Sequence, residues 1–440
     1  MNVTNSLSKS RGIENLLLRI ISIFNRFGIT SKKFEYFLNR YSDVTAGLGC
    51  VPTFAITAVT LARHPKVVKE LSQKGVEFAV HGYIHTDHKV LSVSELNRHF
   101  KKAINTFQKC QVPFQGFRMP FLRINGGTLD ILSSLGFRYD SSHVVHWNVV
   151  NQADYPRQAW SQYERVLDFY SSRQAQQKLA LPRLTDGLVE IPVSIPDDEI
   201  LIDRLGVKDN EKITGVWQSI LQKTYDRGEL FTVQLHPERT VLCEKALVAL
   251  LHQAREYQPS VWVATLGQIT EWWQERAKFS FEINAEGGGR YRVKASCSER
   301  ATILFKNCQP NVADSKWSGS YSSISARDFV LESPSRPVIG VSPDSSVAAV
   351  SFLKSEGFVV ERSHRADGYG IYLNNLAQFT EAEERPLSEA IDKSAAPLLR
   401  YWRWPDRAGS ALSITGDIDS ITLIDFVLRI FENFVQNMRN

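Results

Sequence analysis

The stretch that decides the fold is VEFAVHGYIHTDH, residues 76–88, in which a strand-like apolar run leads directly into a histidine cluster. Short runs of the same kind recur from Cys50 to about Arg276: PTFAITA, VPFQGFRMP, VEIPVSIP, LFTVQLHP and VWVATL. Helix-like stretches separate them. This alternation predicts an α/β fold, either a parallel sheet or a distorted (β/α) barrel. In such folds the chemistry gathers at the carboxyl ends of the strands.

The composition of the 440-residue chain is that of a globular protein, with 43% hydrophobic and 22% charged residues. This excludes disorder and a coiled-coil rod, and a formal charge of +5 is too small to imply nucleic acid binding. Five scattered cysteines without a Cys-x-x-Cys pair favour a reducing compartment. No run is long enough to span a membrane, and the N-terminus lacks a clean signal peptide. We therefore expect a cytoplasmic protein.

The sequence pattern divides the chain into four segments. Residues 1–278 are predicted to form the main part of the barrel, and residues 279–330 a small antiparallel β domain. A small α/β unit over 331–400 ends in a helix predicted at about 386–402. Residues 401–440 are predicted to be a strand (ALSIT), a turn (GDID) and a helix that complete the barrel. The helix at 12–27 either packs on the core or contacts a membrane surface. The oligomeric state stays open.

The densest chemical signal is the cluster His81, His85 and His88 at the end of the strand VEFAV. Two imidazoles four residues apart on one turn can face a single metal ion, and imidazole suits zinc, cobalt, nickel or iron. The alternative is a chance cluster on a solvated loop. His88 is the weakest candidate of the three.

Three further candidates follow other strands. Arg118, next to Pro120, either forms a structural salt bridge or holds a carboxylate. Asp140, in the segment GFRYDSS, either caps a turn or lines the site. His236, after FTVQL, is either a packed core histidine or a general acid. The acidic tip Asp197-Asp198-Glu199 is expected to mark a helix start and ranks below these three.

Together these motifs make residues 50–275 resemble the polysaccharide deacetylases, carbohydrate esterase family 4, with its NodB-type domain. His81 to His85 resembles the family motif H-[ST]-x-x-H, with Gly82 in place of Ser or Thr. Arg118-Met-Pro120 is similar to the family's R-x-P, and Leu235-His236 is similar to its Leu-His motif. The segment Gly136 to Ser142 resembles the family's GF-x-YDSS.

The chain departs from the family at the first motif, T-F-D-D, which has no counterpart before Cys50. A similar sequence, Thr415-Gly-Asp417-Ile-Asp419, stands near residue 440 instead and follows Trp404-Pro405. We interpret this arrangement as a circular permutation. Two alternatives stay open, namely a truncated second copy of the motif that forms no site with the first domain, and a purely structural turn.

The resemblance implies the roles of the site residues. Metal ligands would be His81, His85 and Asp419, with zinc as the first expectation. Asp417 would be the base, His236 the acid and Arg118 the residue that orients the base, although the inserted Ile418 leaves the split between Asp417 and Asp419 open. Asp140 would tune His236 or contact the sugar.

The implied reaction is removal of N-acetyl or similar acyl groups from a glycan or amino sugar. Three alternatives remain at this stage. The first is a same-fold amidase that acts on a non-sugar C–N bond, and the second is a non-catalytic glycan-binding protein. The third is a glycosyltransferase that uses Asp417-x-Asp419, which would leave the histidine pair unexplained.

Overall fold

The computed structural model describes residues 26–439, with side chains described as far as Glu432. The helix predicted at 12–27, with its membrane contact, therefore lies outside the described residues except for Arg26 and Phe27. No helix within the described range has the length and apolar character needed to cross a bilayer.

Most of the chain forms regular strands and helices. The strands in chain order are β1 (Thr53–Ile56), β2 (Glu77–Val80), β3 (Gly116–Phe117), β4 (Tyr139–Asp140), β5 (Val144–His146), β6 (Arg173–Gln174), β7 (Arg183–Thr185), β8 (Leu188–Glu190), β9 (Val193–Ile195), β10 (Leu230–Gln234), β11 (Val261–Val263), β12 (Ser280–Gly287), β13 (Arg290–Ser296), β14 (Ile303–Lys306), β15 (Gln309–Pro310), β16 (Asp314–Lys316), β17 (Ser322–Ile324), β18 (Asp328–Glu332), β19 (Arg336–Val341), β20 (Val360–Arg362), β21 (Tyr369–Leu373), β22 (Leu398–Tyr401) and β23 (Ser410–Ile418). The α-helices span Lys32–Gly47, Ala58–Arg63, Pro65–Gln73, Val93–Cys110, Thr128–Ser134, Arg157–Phe169, Asn210–Asp226, Thr240–Glu256, Leu266–Arg276, Val347–Ser355, Glu381–Lys393 and Leu423–Arg439.

A curled half-barrel sheet dominates the fold, with the strand order β10-β23-β1-β2-β3-β4-β8-β7 and β11 beside β23. All of its pairings are parallel except β7 with β8. Helices cover the sheet, because a parallel sheet must bury both faces and the amphipathic segments between its strands supply that cover. The predicted α/β class and barrel-like main sheet are confirmed.

The last strand, β23, lies in the middle of this sheet although it comes from the end of the described chain. Its nine residues are all buried. It pairs with β1 from Thr53↔Thr415 to Ile56↔Ile418, and with β10 from Leu230↔Ala411 to Gln234↔Thr415. A strand buried on both faces is usually rich in apolar residues, and ALSIT supplies Ala411, Leu412 and Ile414 beside the buried Ser413 and Thr415.

Two local predictions near the C-terminus are wrong. The turn predicted at GDID is mostly strand, because β23 continues through Ile418 while it pairs with β1. The helix predicted at about 386–402 instead spans Glu381–Lys393 and is followed by β22. Residues 398–401 become a strand because β22 pairs with β14, a tertiary partner that overrides local helical spacing.

The segments after Lys278 are interleaved. Two four-stranded antiparallel sheets have the orders β12-β13-β18-β15 and β16-β17-β14-β22. The predicted boundary between residues 330 and 331 falls inside β18, and β22 joins a sheet whose other strands come from residues 303–324. The small α/β unit contains β19 between the parallel strands β20 and β21.

Apolar packing joins these parts. One core surrounds the main sheet, and a second joins the helix Leu266–Arg276 to the antiparallel sheets and to Trp404. A third fills the small α/β unit and includes Leu179 from the main part of the chain. Trp404, fully buried, donates its indole N–H to the carbonyl of Gly228, which ties the segment before β23 to the start of β10. This packing holds β23 in register for the site.

Candidate metal and hydrolytic site

Strand register places the candidate residues at one edge of the sheet. Val80, Ile56 and Ile418 are aligned across β2, β1 and β23. The next residue of each strand therefore stands at the same carboxyl edge, which puts His81 and Asp419 on either side of Thr57. The two residues come from opposite ends of the chain, and only parallel pairing through β1 brings them together.

His81, His85 and Asp419 form a compact cluster, in which one ligand atom of each residue lies within 4.8 Å of the other two. His81 Nε2 is 3.4 Å from Asp419 Oδ1, and His85 Nε2 is 3.3 Å from Asp419 Oδ2. Both imidazoles are buried. Two imidazole nitrogens and one carboxylate form a donor set that suits zinc and leaves coordination positions open.

The hydrogen bonding of His81 fits a metal ligand. Its Nδ1 lies 2.8 Å from the carbonyl oxygen of Arg118, which can only accept, so Nδ1 carries the proton. In the tautomer with its proton on Nδ1, Nε2 presents a lone pair toward Asp419 Oδ1, a buried oxygen without a hydrogen-bond partner among residues 26–439. A cation between these two atoms would give each of them a partner, so the residues fit a divalent metal.

Charges in this cluster are also suited to a cation. Burial lowers the pKa of His85 to about 3, against the opposing effect of Asp419, so this imidazole is neutral at pH 7. Burial acts to raise the pKa of Asp419, but the groups around it, with the Arg429 guanidinium among them, outweigh burial and hold the pKa well below its ordinary value. The neutral imidazole of His85 and the ionised carboxylate of Asp419 are in the protonation states that bind a metal.

Asp417 lies beside the cluster with different partners. Arg118 Nη1 donates to its Oδ1 at 3.0 Å, and Gln234 Nε2 donates to its Oδ2 at 3.0 Å. His81 Nε2 is 3.9 Å from the same Oδ2. Arg118 is itself fully buried and also donates to Ser141 and Thr415. Asp417 is thus held by two donors, whereas Asp419 faces the histidines.

His236 forms an ion pair with a carboxylate that the sequence reasoning ranked low. Its Nδ1 is 3.0 Å from Asp198 Oδ1, and Arg239 Nη1 donates to Asp198 Oδ2 at 2.9 Å. Burial acts to lower the pKa of His236, but the Asp198 charge and hydrogen bond outweigh it and hold the pKa well above its ordinary value. The Asp198 contact therefore favours the imidazolium form of His236, which can give up a proton.

Asp140 does not contact His236. It is fully buried and accepts hydrogen bonds from the hydroxyl and the backbone N–H of Ser142, while the Ser142 hydroxyl oxygen accepts from the Met119 N–H. Burial raises the pKa of Asp140 to about 6. The expectation that Asp140 tunes His236 is therefore corrected. The segment after β9 brings Asp198 to His236, whereas Asp140 at the end of β4 bonds to Ser142.

The remaining candidates lie around this edge. His88 is buried against Phe100 and Phe117, outside the metal cluster. Asp197 accepts from the backbone N–H of Ile200, as expected for a helix start. The Phe121 ring, which is partly exposed, has its centroid 4.4 Å from that of His85.

Sequence reasoning missed several contacting residues. Gln234 and Arg239 flank His236 in the sequence, so their proximity was a usable signal. Arg429, which donates to Asp419 Oδ2 at 2.6 Å, lies on the helix after β23 and had no motif to mark it.

Comparisons with known proteins agree with part of this description. Residues 36–139 match the model of the family described as polysaccharide deacetylase. The peptidoglycan deacetylase-like protein FGM2 of Gibberella zeae is 23% identical over 265 residues, which are 55% of this chain and 70% of that protein.

Two solved structures are similar over about half of the chain. One is a provisionally named polysaccharide deacetylase from Mycobacterium smegmatis, with a TM-score of 0.42 and 22% identity over 53% of this chain and 76% of that one. The other is PuuE allantoinase, with a TM-score of 0.42 and 15% identity over 54% and 72% of the two chains. Residues 36–139, which match the polysaccharide deacetylase family model, contain His81, His85 and Arg118.

Proposed function

We propose that this chain is a metal-dependent hydrolase that removes N-acetyl or similar acyl groups from an amino sugar or glycan. The observation that carries the proposal is the juxtaposition of His81, His85 and Asp419 with Asp417, a second and separately held carboxylate. The family match over residues 36–139 supports the same class of chemistry.

A divalent ion bound by His81, His85 and Asp419, with zinc first and cobalt, nickel or iron as alternatives, would polarise the acyl carbonyl and make a water more acidic. Asp417 takes the proton of the attacking water, and its bonds to Arg118 and Gln234 keep the carboxylate oriented. The different partners of the two aspartates support Asp417 as base and Asp419 as ligand.

His236 acts as the acid in this proposal. When the C–N bond breaks, the nitrogen must leave as a neutral amine and therefore needs a proton. Asp198 favours the protonated form of His236 and fixes the ring through Nδ1. The products are a carboxylic acid from the acyl group and the free amine of the sugar.

A metal assay tests the binding half of the proposal. Full-length wild type, His85→Ala and Asp419→Ala would be assayed for bound zinc by mass spectrometry and calorimetry, with His88→Asn as the matched control from the same motif. We expect about one ion per chain in the wild type and the control, as a single three-ligand site requires, and its loss in the two ligand variants. A wild type without a divalent ion, or unchanged metal in both variants, would refute the site.

A product assay tests the chemical half. Release of acetate from N-acetylglucosamine oligomers would be compared with hydrolysis of cyclic ureides and imides by the same protein. We expect acetate release by the wild type, and its loss with retained zinc in Asp417→Asn. Ureide hydrolysis alone would favour the non-sugar amidase. Metal binding without turnover of either substrate would point to the non-catalytic alternative.

We also propose that the order of the motifs reflects a circular permutation. Support comes from the position of β23 between β10 and β1, and from the contact of Gly28 with Thr422 and Leu423, which joins the first described residues to the start of the last helix. Moving residues 401–440 ahead of residue 1 should give a folded protein that binds zinc. A relocated chain that folds by circular dichroism without binding zinc, or that does not fold, would contradict the permutation.

A further inference from the structure

The two oxygens of Asp419 have different surroundings. Arg429 Nη1 donates to Oδ2 at 2.6 Å, and His85 Nε2 lies 3.3 Å from the same oxygen. Oδ1 lies 3.4 Å from His81 Nε2 and has no hydrogen-bond partner in the described part of the chain. One oxygen is therefore already held by a cationic side chain, and the other is left for a further ligand.

Arg429 is itself held in place by its neighbours. Its guanidinium lies 5.0 Å from the ring centroid of Phe426, and Phe426 stacks on Phe27 at a centroid distance of 5.6 Å. The helix that carries Arg429 begins at Leu423, just after Thr422, whose hydroxyl and backbone N–H both donate to Asp425. A cation over an aromatic ring on an anchored helix is a fixed donor and not a freely moving surface charge.

We propose, resting on the metal-dependent function above, that Arg429 is a positioning residue for the metal carboxylate. By holding Oδ2, Arg429 sets the rotation of the Asp419 carboxylate and presents Oδ1 as a single donor toward the face of His81. Carboxylate torsions of this kind are soft, so an unsupported Asp419 would sample other rotations. A charge-assisted hydrogen bond is strong enough to select one of them.

The geometry favours positioning over competition with the metal. A guanidinium that competed for the whole carboxylate would engage both oxygens in a bidentate pair. Arg429 contacts Oδ2 through one nitrogen and leaves Oδ1 free of hydrogen bonds within residues 26–439. Loss of an outer partner of a metal ligand typically lowers metal affinity about 10–100-fold, whereas loss of a competitor would raise it.

Zinc titration of the full chain by calorimetry tests this inference. Arg429→Met keeps the aliphatic stem over Phe426 and removes the donor, and we expect zinc affinity to fall about 10–100-fold. Arg429→Lys restores a cationic donor and should recover most of that affinity. Arg63→Ala is the control, because Arg63 pairs with Asp425 and Glu432 on the same helix and does not contact Asp419.

Cobalt loading adds a readout that a purely structural role would not change. The visible absorption of bound Co²⁺ depends on the number and geometry of its ligands, so a carboxylate that has rotated in Arg429→Met should alter the spectrum, while Arg63→Ala should match the wild type.

The possible outcomes separate the two proposals. Zinc binding by the wild type with equal or tighter binding in Arg429→Met would overturn the positioning role and leave the proposed function intact. Absence of zinc binding in the wild type would overturn both. If circular dichroism shows that Arg429→Met does not fold, Arg429→Lys is the deciding variant. We expect its zinc affinity and cobalt spectrum to be close to those of the wild type. A loss of zinc binding equal to that of Asp419→Ala would refute the positioning role.

Discussion

Arg118 Nη1 lies 3.0 Å from Asp417 Oδ1 across 299 positions of sequence, and both side chains are buried. The same guanidinium donates to the backbone carbonyl and the hydroxyl of Ser141 and to the hydroxyl of Thr415. One buried cation therefore joins the ends of β3, β4 and β23.

This ion pair predicts a large loss of stability in Arg118→Met. The substitution leaves the Asp417 carboxylate buried without its cation, and breaking such a pair costs about 3–5 kcal/mol. Urea unfolding of metal-free protein measures the loss. The double variant Arg118→Met/Asp417→Asn should recover part of it, because the buried charge is removed. Equal stability of Arg118→Met and wild type would contradict the role of this pair.

The contact of His236 with Asp198 predicts a shift in imidazole titration. A pKa raised by the carboxylate stabilises the fold below the unfolded pKa of histidine, and this contribution is lost as the pH rises through the folded pKa. In Asp198→Asn the carboxylate charge is gone, so the pKa of His236 should fall. Proton NMR of the imidazole ring measures the change. Asp140→Asn is the control and should leave the titration of His236 in place.

Burial of Asp140 predicts a pH-dependent difference in stability. Burial raises the pKa of Asp140 from 3.8 to about 6, so the folded protein holds a proton that the unfolded chain releases. The contribution of Asp140 to the free energy of unfolding therefore falls as the pH rises from 3.8 to about 6. The shift corresponds to about 3 kcal/mol. Urea unfolding between pH 4 and about 7 should show that the wild type loses stability relative to Asp140→Asn as the pH rises, because the other titrating groups, His85 among them, contribute to both curves. Parallel curves would refute the assignment.

The glycine before Asp417 predicts a packing defect. A Cβ at Gly416 would stand 2.3 Å from the backbone carbonyl oxygen of Leu235, so Gly416→Ala must push β23 and β10 apart. We expect a loss of about 1–3 kcal/mol in the free energy of unfolding, and weaker zinc binding because Asp417 and Asp419 move. Gly215→Ala is the matched control, since its Cβ meets nothing within 4 Å on an exposed helix position. That control should gain about 0.5–1 kcal/mol.

The sequence by itself determined the α/β class and the strand ends that carry chemistry. Periodicity and residue type are local properties, so VEFAV, GF and LFTVQ could be identified as strands and His81, Arg118 and His236 as residues at their carboxyl ends. Parallel sheets collect such ends at one edge, which is why these candidates could be expected to lie near one another.

Only the tertiary structure decided which distant groups meet there. The spacing of TGDID suggested a carboxylate motif, but the position of Asp419 beside His85 depends on β23 pairing with β1, an edge-to-edge choice between strands separated by most of the chain. The replacement of Asp140 by Asp198 as the partner of His236 has the same origin. The hydrogen-bond partner of a side chain depends on the direction in which that side chain leaves its strand and on the residues that pack against it. The spacing of residues along the chain specifies neither of these.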